Sequence, residues 1–455
     1  VNRRLTLASS VAGAALVALD GTVLTIAQPT LQRDLGASFA QVQWTSTGYL
    51  IAVAALLVFA GRLGDRYGHR RLFATGMVGF GVTSAAIGLA PGVGWVIGLR
   101  IAQGVFGALL QPATLGMLRA TYPPDRLRTP LAVRTGAIGL AAAAGPVVGG
   151  ALVDLLGWRS VFFVNVVPAL VFGVLALTAG RPERRTATVR LDPPGALMLA
   201  VSLACLVHAL IALPETGRAA VGWIGAAVAG AAFVRHERRT AAPLVPPEVV
   251  GSTGVAAALG VLVAASAALL GTLFVGTYVL QGVLGLDPLR SALVSLPLAV
   301  LMVVAAPVCA VLLRRAGPRR TTVAAMAVLT VGILVLSAAS ATLTLCCGFA
   351  LLGAGFGTVM VAATHVVVRR APVESAGVAG GLQQTAMNIG PVLGVAVAAT
   401  LLGTGGTGVA LAVLAVVAAA GAVAALVLPG RDDEESARQT HRGRPADRLR
   451  IAARR

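Results

Sequence analysis

The sequence predicts an all-helical membrane protein of fourteen spans. Three observations carry that prediction: hydrophobic residues fill 57% of 455 positions, charged residues fill only 12%, and long apolar windows recur with short polar breaks between them. A helical window of about 20 residues crosses a roughly 30 Å hydrocarbon core. The windows lie near residues 6–29, 42–61, 72–90, 94–118, 132–155, 161–180, 193–213, 219–235, 255–281, 291–313, 321–339, 342–368, 376–402 and 406–428.

The first window follows Val1, Asn2, Arg3 and Arg4, an opening that imitates a signal peptide. The apolar run continues to Pro29 without a cleavage site, so it reads as the first span, with Val1 an alternative start or a trimmed end. The four cysteines, Cys205, Cys309, Cys346 and Cys347, lie inside apolar stretches without metal-ligand spacing and read as small hydrophobes. No metal or other cofactor is expected.

A formal charge of +19, from 36 basic and 17 acidic residues, would point to nucleic acid in a soluble protein. The placement of the charges points elsewhere. Every basic residue is arginine, which removes the lysine of a Walker A loop or a Schiff base and argues against ATP-driven transport by this chain alone. If the amino terminus is inside, the outer loops hold only Arg33, Arg159, Arg218 and Arg290, with Arg100 inside a span. Nearly all other arginines, Arg134 among them, fall to inner segments or the tail. This bias predicts a multi-pass protein of a bacterial cytoplasmic membrane with both termini cytoplasmic, partnered by lipid and not by nucleic acid.

Arg66, Gly68, Arg70 and Arg71, after span 2, recur as Arg315, Gly317, Arg319 and Arg320, after span 10. Both copies end a span on the same side, as parallel transporter repeats require. The expected organisation is a six-helix bundle over 1–190, two inserted helices over 191–240, a second six-helix bundle over 241–428 and a disordered cytoplasmic tail over 429–455. The tail mixes Asp432, Asp433, Glu434 and Glu435 with arginines and has no apolar period. It reads as solvated, with attraction to anionic lipid the other reading.

The loop Gly61-Arg62-Leu63-Gly64-Asp65-Arg66-Tyr67-Gly68-His69-Arg70-Arg71 is the most specific motif. With Arg100-x-x-Gln103-Gly104 in span 4 and Gly145-Pro146-Val147-Val148-Gly149-Gly150 in span 5, it resembles the signature set of the major facilitator superfamily: its motif A, motif B and antiporter motif C. The run Leu19-Asp20-Gly21-Thr22-Val23, continuing through Ala27 to Pro29, is similar to the first-span motif of the fourteen-span drug:proton antiporters. Trp44, Tyr49, Pro112-Ala113-Thr114-Leu115, Gly157-Trp158-Arg159, Phe162 and Asn165 extend the likeness through the first half. Tyr278-x-x-Gln281, Pro297, Gly380-Gly381-Leu382 and Gly390-x-x-x-Gly394 extend it through the second. The resemblance implies a major facilitator fold, two six-helix bundles plus two inserted helices, and proton-coupled drug efflux by a monomer.

Asp20 is the one deep acidic residue in the fourteen spans, about 20 Å along the first by helical rise. A charge there is costly, so Asp20 faces a cavity or a partner and suits a proton carrier; an Asp held permanently by a neighbouring helix is the alternative. Arg100 lies at similar depth in span 4. It either pairs with Asp20 in a proton-dependent way or bonds backbone carbonyls to hold spans 1 and 4 together. Arg100, Gln103, Gly107 and Gln111 share one helical face, which would turn a polar stripe toward the cavity. Thr25, Gln384 and Asn388 are further candidates for its wall.

Gly61, Asp65, Arg66, Gly68 and Arg70 are candidate gate residues at the inner surface. Family resemblance makes Gly145, Pro146, Gly149 and Gly150 a hinge or seal, with plain packing the other reading. Spans 10 and 13 lack the carboxylates some relatives carry for cationic drugs, and Arg314 stands where a second motif A loop could carry an acid. His69, His236 and His441 read as solvated; His208 and His365, near span ends, are weaker candidates for proton handling. The expected cargo is a hydrophobic, monovalent cationic or neutral drug, toxin or antibiotic, since one membrane carboxylate does not readily neutralise both a proton and a dication. A nutrient symporter of the same fold is the alternative. An enzyme is not expected, because the acids are scattered and not clustered at one face.

Overall fold

A computed structural model of the chain describes residues 3–123, 126, 128–178, 191–212, 216–240, 243–244, 252–339, 341–370 and 376–430. The stretch 179–190, the tail beyond 430 and His441 lie outside the described residues. Among the described residues every regular element is helical: α1 (Arg3–Asp34), α2 (Phe39–Tyr67), α3 (His69–Gly88), α4 (Val93–Thr121), α5 (Arg128–Leu156), α6 (Ser160–Thr178), α7 (Pro193–Ile211), α8 (Thr216–Glu237), α9 (Thr253–Tyr278), α10 (Pro288–Ser337), α11 (Thr342–Arg370), α12 (Ala376–Thr404) and α13 (Gly406–Ala424), with short π and 3-10 turns after α9 and α13.

Thirteen described segments are long and apolar enough to cross a membrane, two of them within α10. The fourteenth span is α3. Arg70 and Arg71 open it and glycines dilute it, yet it packs against α4 and α6 as a full member of the bundle. Helix starts follow local chemistry. Ser38 and Gln41 form a capping box before α2. Asp192 and Asp287 cap α7 and α10, each followed by proline at the first helical position.

The repeat seen in the sequence is also a repeat of backbone shape. Gly68 (φ 97°) separates α2 from α3, and Gly317 (φ 76°) turns the chain within α10. Both values need glycine. The second copy follows the first: the range Pro288–Ser337 holds two helices, spans 10 and 11, parted at Gly317, whose backbone is not helical.

Helices α1–α6 enclose two neighbouring cores, one around Phe73, Met77 and Phe80 and one around Leu31, Trp158 and Phe162. Helices α9–α13 share a larger core around Phe274, Phe349 and Leu414. The inserted α7 packs Leu203 and Val207 against Ile51 and Ala54 of α2 and Val392 and Ala396 of α12, so it is seated on the seam between the halves.

Alternation of the spans puts the start of α1 and the turns at Gly68 and Gly317 at one end, here the terminal end. At the opposite, far end the halves meet. Tyr278 Oη donates to Gln32 Oε1 at 2.9 Å, Gln281 Nε2 donates to the Ile26 carbonyl at 3.0 Å, and Phe39 packs on Phe274 and Tyr278. At the same end Gly150 of α5 lies against the backbone of Pro288 and Leu289, where a Cβ would sit 2.7 Å from the Pro288 carbonyl oxygen. Near the terminal end of α5, Gly136 and Gly139 have open space around them and Val133 and Leu140 are exposed.

Candidate functional site

Asp20 and Arg100 meet midway through the first half. Arg100 Nη1 donates to Asp20 Oδ2 at 2.7 Å, and each side chain is 2% exposed. Asp20 Oδ1 accepts from Asn165 Nδ2 at 2.9 Å and from Gln103 Nε2 at 3.3 Å. Four helices therefore converge on one carboxylate: α1 carries it, and α4 and α6 bond it directly. Helix α2 acts through Arg100, whose Nε donates to the Thr45 carbonyl at 3.0 Å and whose guanidinium lies 4.2 Å from the Tyr49 ring centre. Gly104 and Gly107 make that stacking sterically possible, because a Cβ on either would press into Tyr49. Arg100 pairs with Asp20 and also bonds a backbone carbonyl, and that carbonyl belongs to Thr45 of α2 and not to α1.

A cavity of about 260 Å³ adjoins this network. Thr25, Gln111, Gln384 and Asn388 line it, as expected, together with Arg100. Gln103 does not. Its side chain is fully buried and turned away toward Ser84 Oγ (2.7 Å) and Asp20, so the helical face that was expected to form one stripe splits between cavity and ion pair. The apolar wall comes from Leu50, Ile138, Leu270, Phe274, Pro391 and Val395.

Two wall residues, Gln28 and Arg134, and one partner of Asp20, Asn165, escaped the sequence reading. Gln28 Nε2 donates to Ser46 Oγ at 2.7 Å, fastening α1 to α2 above the ion pair. Arg134, which reads in sequence as an inner-surface arginine, lies on the cavity wall, where its Nε and Nη2 donate to Thr114 Oγ1 at 3.1 and 2.9 Å. Asn165 had been noted for its resemblance alone, and its bond to Asp20 follows from the tertiary approach of α6.

The candidate gate residues fall into two places. At the terminal end, Asp65 Oδ1 bonds His69 Nε2 at 3.0 Å across the Gly68 turn, Arg66 lies over the Tyr67 ring, Arg70 is half-buried, and Gly61 faces Pro112 of α4. Toward the far end, Gly145 and Gly149 press on Thr22 and Val23 of α1, Gly150 presses on α10, and Pro146 lies between them on α5. His69 is not solvated as expected: Gly64 and Gly116 leave room for its ring, and a methyl on either would overlap it. His236 is not free either, since its Nε2 lies 2.7 Å from Asp192 Oδ1. His208 is exposed and His365 half-buried.

A family model described as the Major Facilitator Superfamily matches residues 11–389 and 344–454. The chain is 43% identical over 407 residues to a tetracenomycin C resistance and export protein of Streptomyces glaucescens, covering 87% of this chain and 75% of that one. It is 36% identical over 413 residues to a puromycin resistance protein of Streptomyces alboniger, covering 88% and 81%. A multidrug efflux pump of Mycolicibacterium smegmatis is 32% identical over 397 residues, covering 85% and 78%. Among solved structures, a peptide transporter superposes with a TM-score of 0.67 at 14% identity, covering 92% of this chain and 93% of that one, a likeness of fold.

Proposed function

The chain belongs to the major facilitator superfamily, and from that premise we propose that it is a proton-coupled exporter of hydrophobic drug- or antibiotic-like compounds, working by alternating access. The observation that carries this reading is the buried Asp20–Arg100 pair beside the cavity. Protonation of Asp20 removes one of two mutually compensating buried charges. Arg100 then keeps the Thr45 carbonyl, Gln103 and the Tyr49 ring but loses its counter-ion, so a proton changes which packing of α1, α2, α4 and α6 is preferred.

Export is supported by the resistance and export proteins among the relatives; the importing alternative has no observation of its own. The arginine bias supports placement in a bacterial cytoplasmic membrane with both termini cytoplasmic. On that orientation the halves are closed outside, with Gly150 and Tyr278 in the seal, and the Asp65–His69 turn lies at the cytoplasmic gate. The protein acts as a monomer without catalytic chemistry of its own.

Asp20→Asn keeps the shape and hydrogen bonds of the protonated acid. In energised vesicles it should abolish gradient-driven dye efflux while the protein remains folded in the membrane. Undiminished efflux by that variant would sink the assigned role.

A further inference from the structure

Two arginines, Arg100 and Arg134, reach the cavity wall, and among the described residues no carboxylate does. Asp20 is turned away from the wall, its oxygens taken by Arg100, Gln103 and Asn165. When Asp20 is ionised the Asp20–Arg100 pair sums to zero. What remains is the single positive charge of Arg134.

Arg134 is anchored from one side. Thr114 Oγ1 accepts from Nε and Nη2, the Gln111 carbonyl accepts from Nη2 at 3.5 Å, and Thr114 is itself fixed by donating to that carbonyl at 2.8 Å. Nη1 bonds nothing among the described residues. A guanidinium held in this way presents a fixed, planar donor edge, which fits a carboxylate or a delocalised oxyanion better than it fits a point charge. Gln111, Gln384 and Asn388 add uncharged polar groups on the same wall, and Ile138, Leu270 and Phe274 add apolar surface.

We propose that the cargo is a hydrophobic compound bearing an acidic group, a carboxylate, phenolate or enolate, that binds against Arg134. This rests on the exporter reading and sharpens it. The sequence alone points to cationic or neutral cargo because Asp20 is the one deep carboxylate it reveals, whereas the folded wall repels a cation.

Fluorescein and the methyl ester of rhodamine share a xanthene skeleton and differ in charge, anionic against cationic at neutral pH. Binding of each to the purified full chain is read by fluorescence polarisation, and transport by dye movement across proteoliposomes under an imposed pH gradient. The wild type is expected to bind fluorescein about tenfold or more tightly than the rhodamine ester. Arg134→Gln should remove that preference and Arg134→Lys should keep part of it. Gln384→Glu, which leaves Arg134 in place, should shift the preference toward the cation. No anion preference in the wild type, or an undiminished one in Arg134→Gln, overturns the proposal. An Arg134-dependent preference with no gradient-driven movement of either dye would instead sink the exporter reading and leave the site standing. Gradient-driven movement that favours the rhodamine ester would do the reverse.

Discussion

Arg100 Nη1 lies 2.7 Å from Asp20 Oδ2 with both side chains almost entirely withdrawn from solvent. Removing two charges from water is expensive, and their attraction offsets that cost only when the remaining lone pairs and protons are also satisfied. Here much of that is met: Asn165 and Gln103 bond the carboxylate, the Thr45 carbonyl and Gln103 Oε1 accept from Arg100 Nε and Nη1, and the Tyr49 ring lies against the guanidinium. Such a pair has two tolerable states, both charges present or both compensated in another way. That property is what the proposed coupling role asks of the pair.

Arg100→Gln strands an ionised Asp20 and should destabilise the protein by about 3–5 kcal/mol. The double variant Asp20→Asn, Arg100→Gln removes both charges and should recover much of that loss without recovering transport. Thermal unfolding of the purified single and double variants measures the coupling. Strictly additive losses would show that the two residues stabilise the fold independently.

Gly150→Ala places a methyl against backbone atoms of Pro288 and Leu289, which have no rotamer with which to yield. The far-end seam between α5 and α10 should therefore loosen, at a cost of about 1–3 kcal/mol to the conformation described here. Cysteines introduced on the two sides of the seam should crosslink less efficiently in this variant than in wild type. Unchanged crosslinking would mean that the seam absorbs the methyl.

Much of this site was legible before the fold. Asp20 and Arg100 could be matched by depth alone, since helical rise places them at one level of two antiparallel spans. The Gly68 and Gly317 turns could be matched because both need a residue that tolerates positive φ. Arg134 was illegible for a physical reason: at the start of span 5 it sits where the positive-inside rule already explains an arginine, and its place on the wall comes from Thr114, a contact between α4 and α5 with no sequence signature. Gln103 misled because residues 3 or 4 apart share a helical face without sharing a neighbour, and Asp20 of α1 and Ser84 of α3 claim that part of α4.

At the far end, Trp158 Nε1 and Arg159 Nη1 donate to Asp34 Oδ2 at 2.7 and 2.6 Å. These bonds, Trp158 first and Arg159 next, hold the Asp34 carboxyl below the usual carboxylate range. A carboxyl lowered on folding contributes stability that is fully present above its unfolded value of about 3.9 and is lost as pH falls through the lowered folded value. The link between α1 and α6 should thus survive the mild acidity that drives a proton-coupled exporter. The melting-temperature difference between wild type and Asp34→Asn should stay constant from about pH 7 to 5 and shrink only below about 4. Its disappearance near pH 6 would place the titrating group elsewhere.

The His69 ring is the obstacle that both Gly64 and Gly116 accommodate, and the nearest atoms to a Cβ at either position all belong to that side chain. Its Nδ1 is buried with no hydrogen-bond partner among the described residues, while its Nε2 reaches the more exposed Asp65. Shape therefore holds the ring, with one bond directing it. Gly116→Ala should push the ring out, break the Asp65 contact and cost about 1–3 kcal/mol by overpacking, with several-fold slower transport if this turn is the gate. His69→Ala empties the same space, so adding Gly116→Ala to it should cost far less than it does in wild type. Melting temperatures and dye efflux of the four proteins in this cycle decide the matter. If Gly116→Ala is equally harmful with and without the imidazole, backbone packing of α4 is the constraint, and the turn at Gly68 loses its assigned part in opening the terminal end.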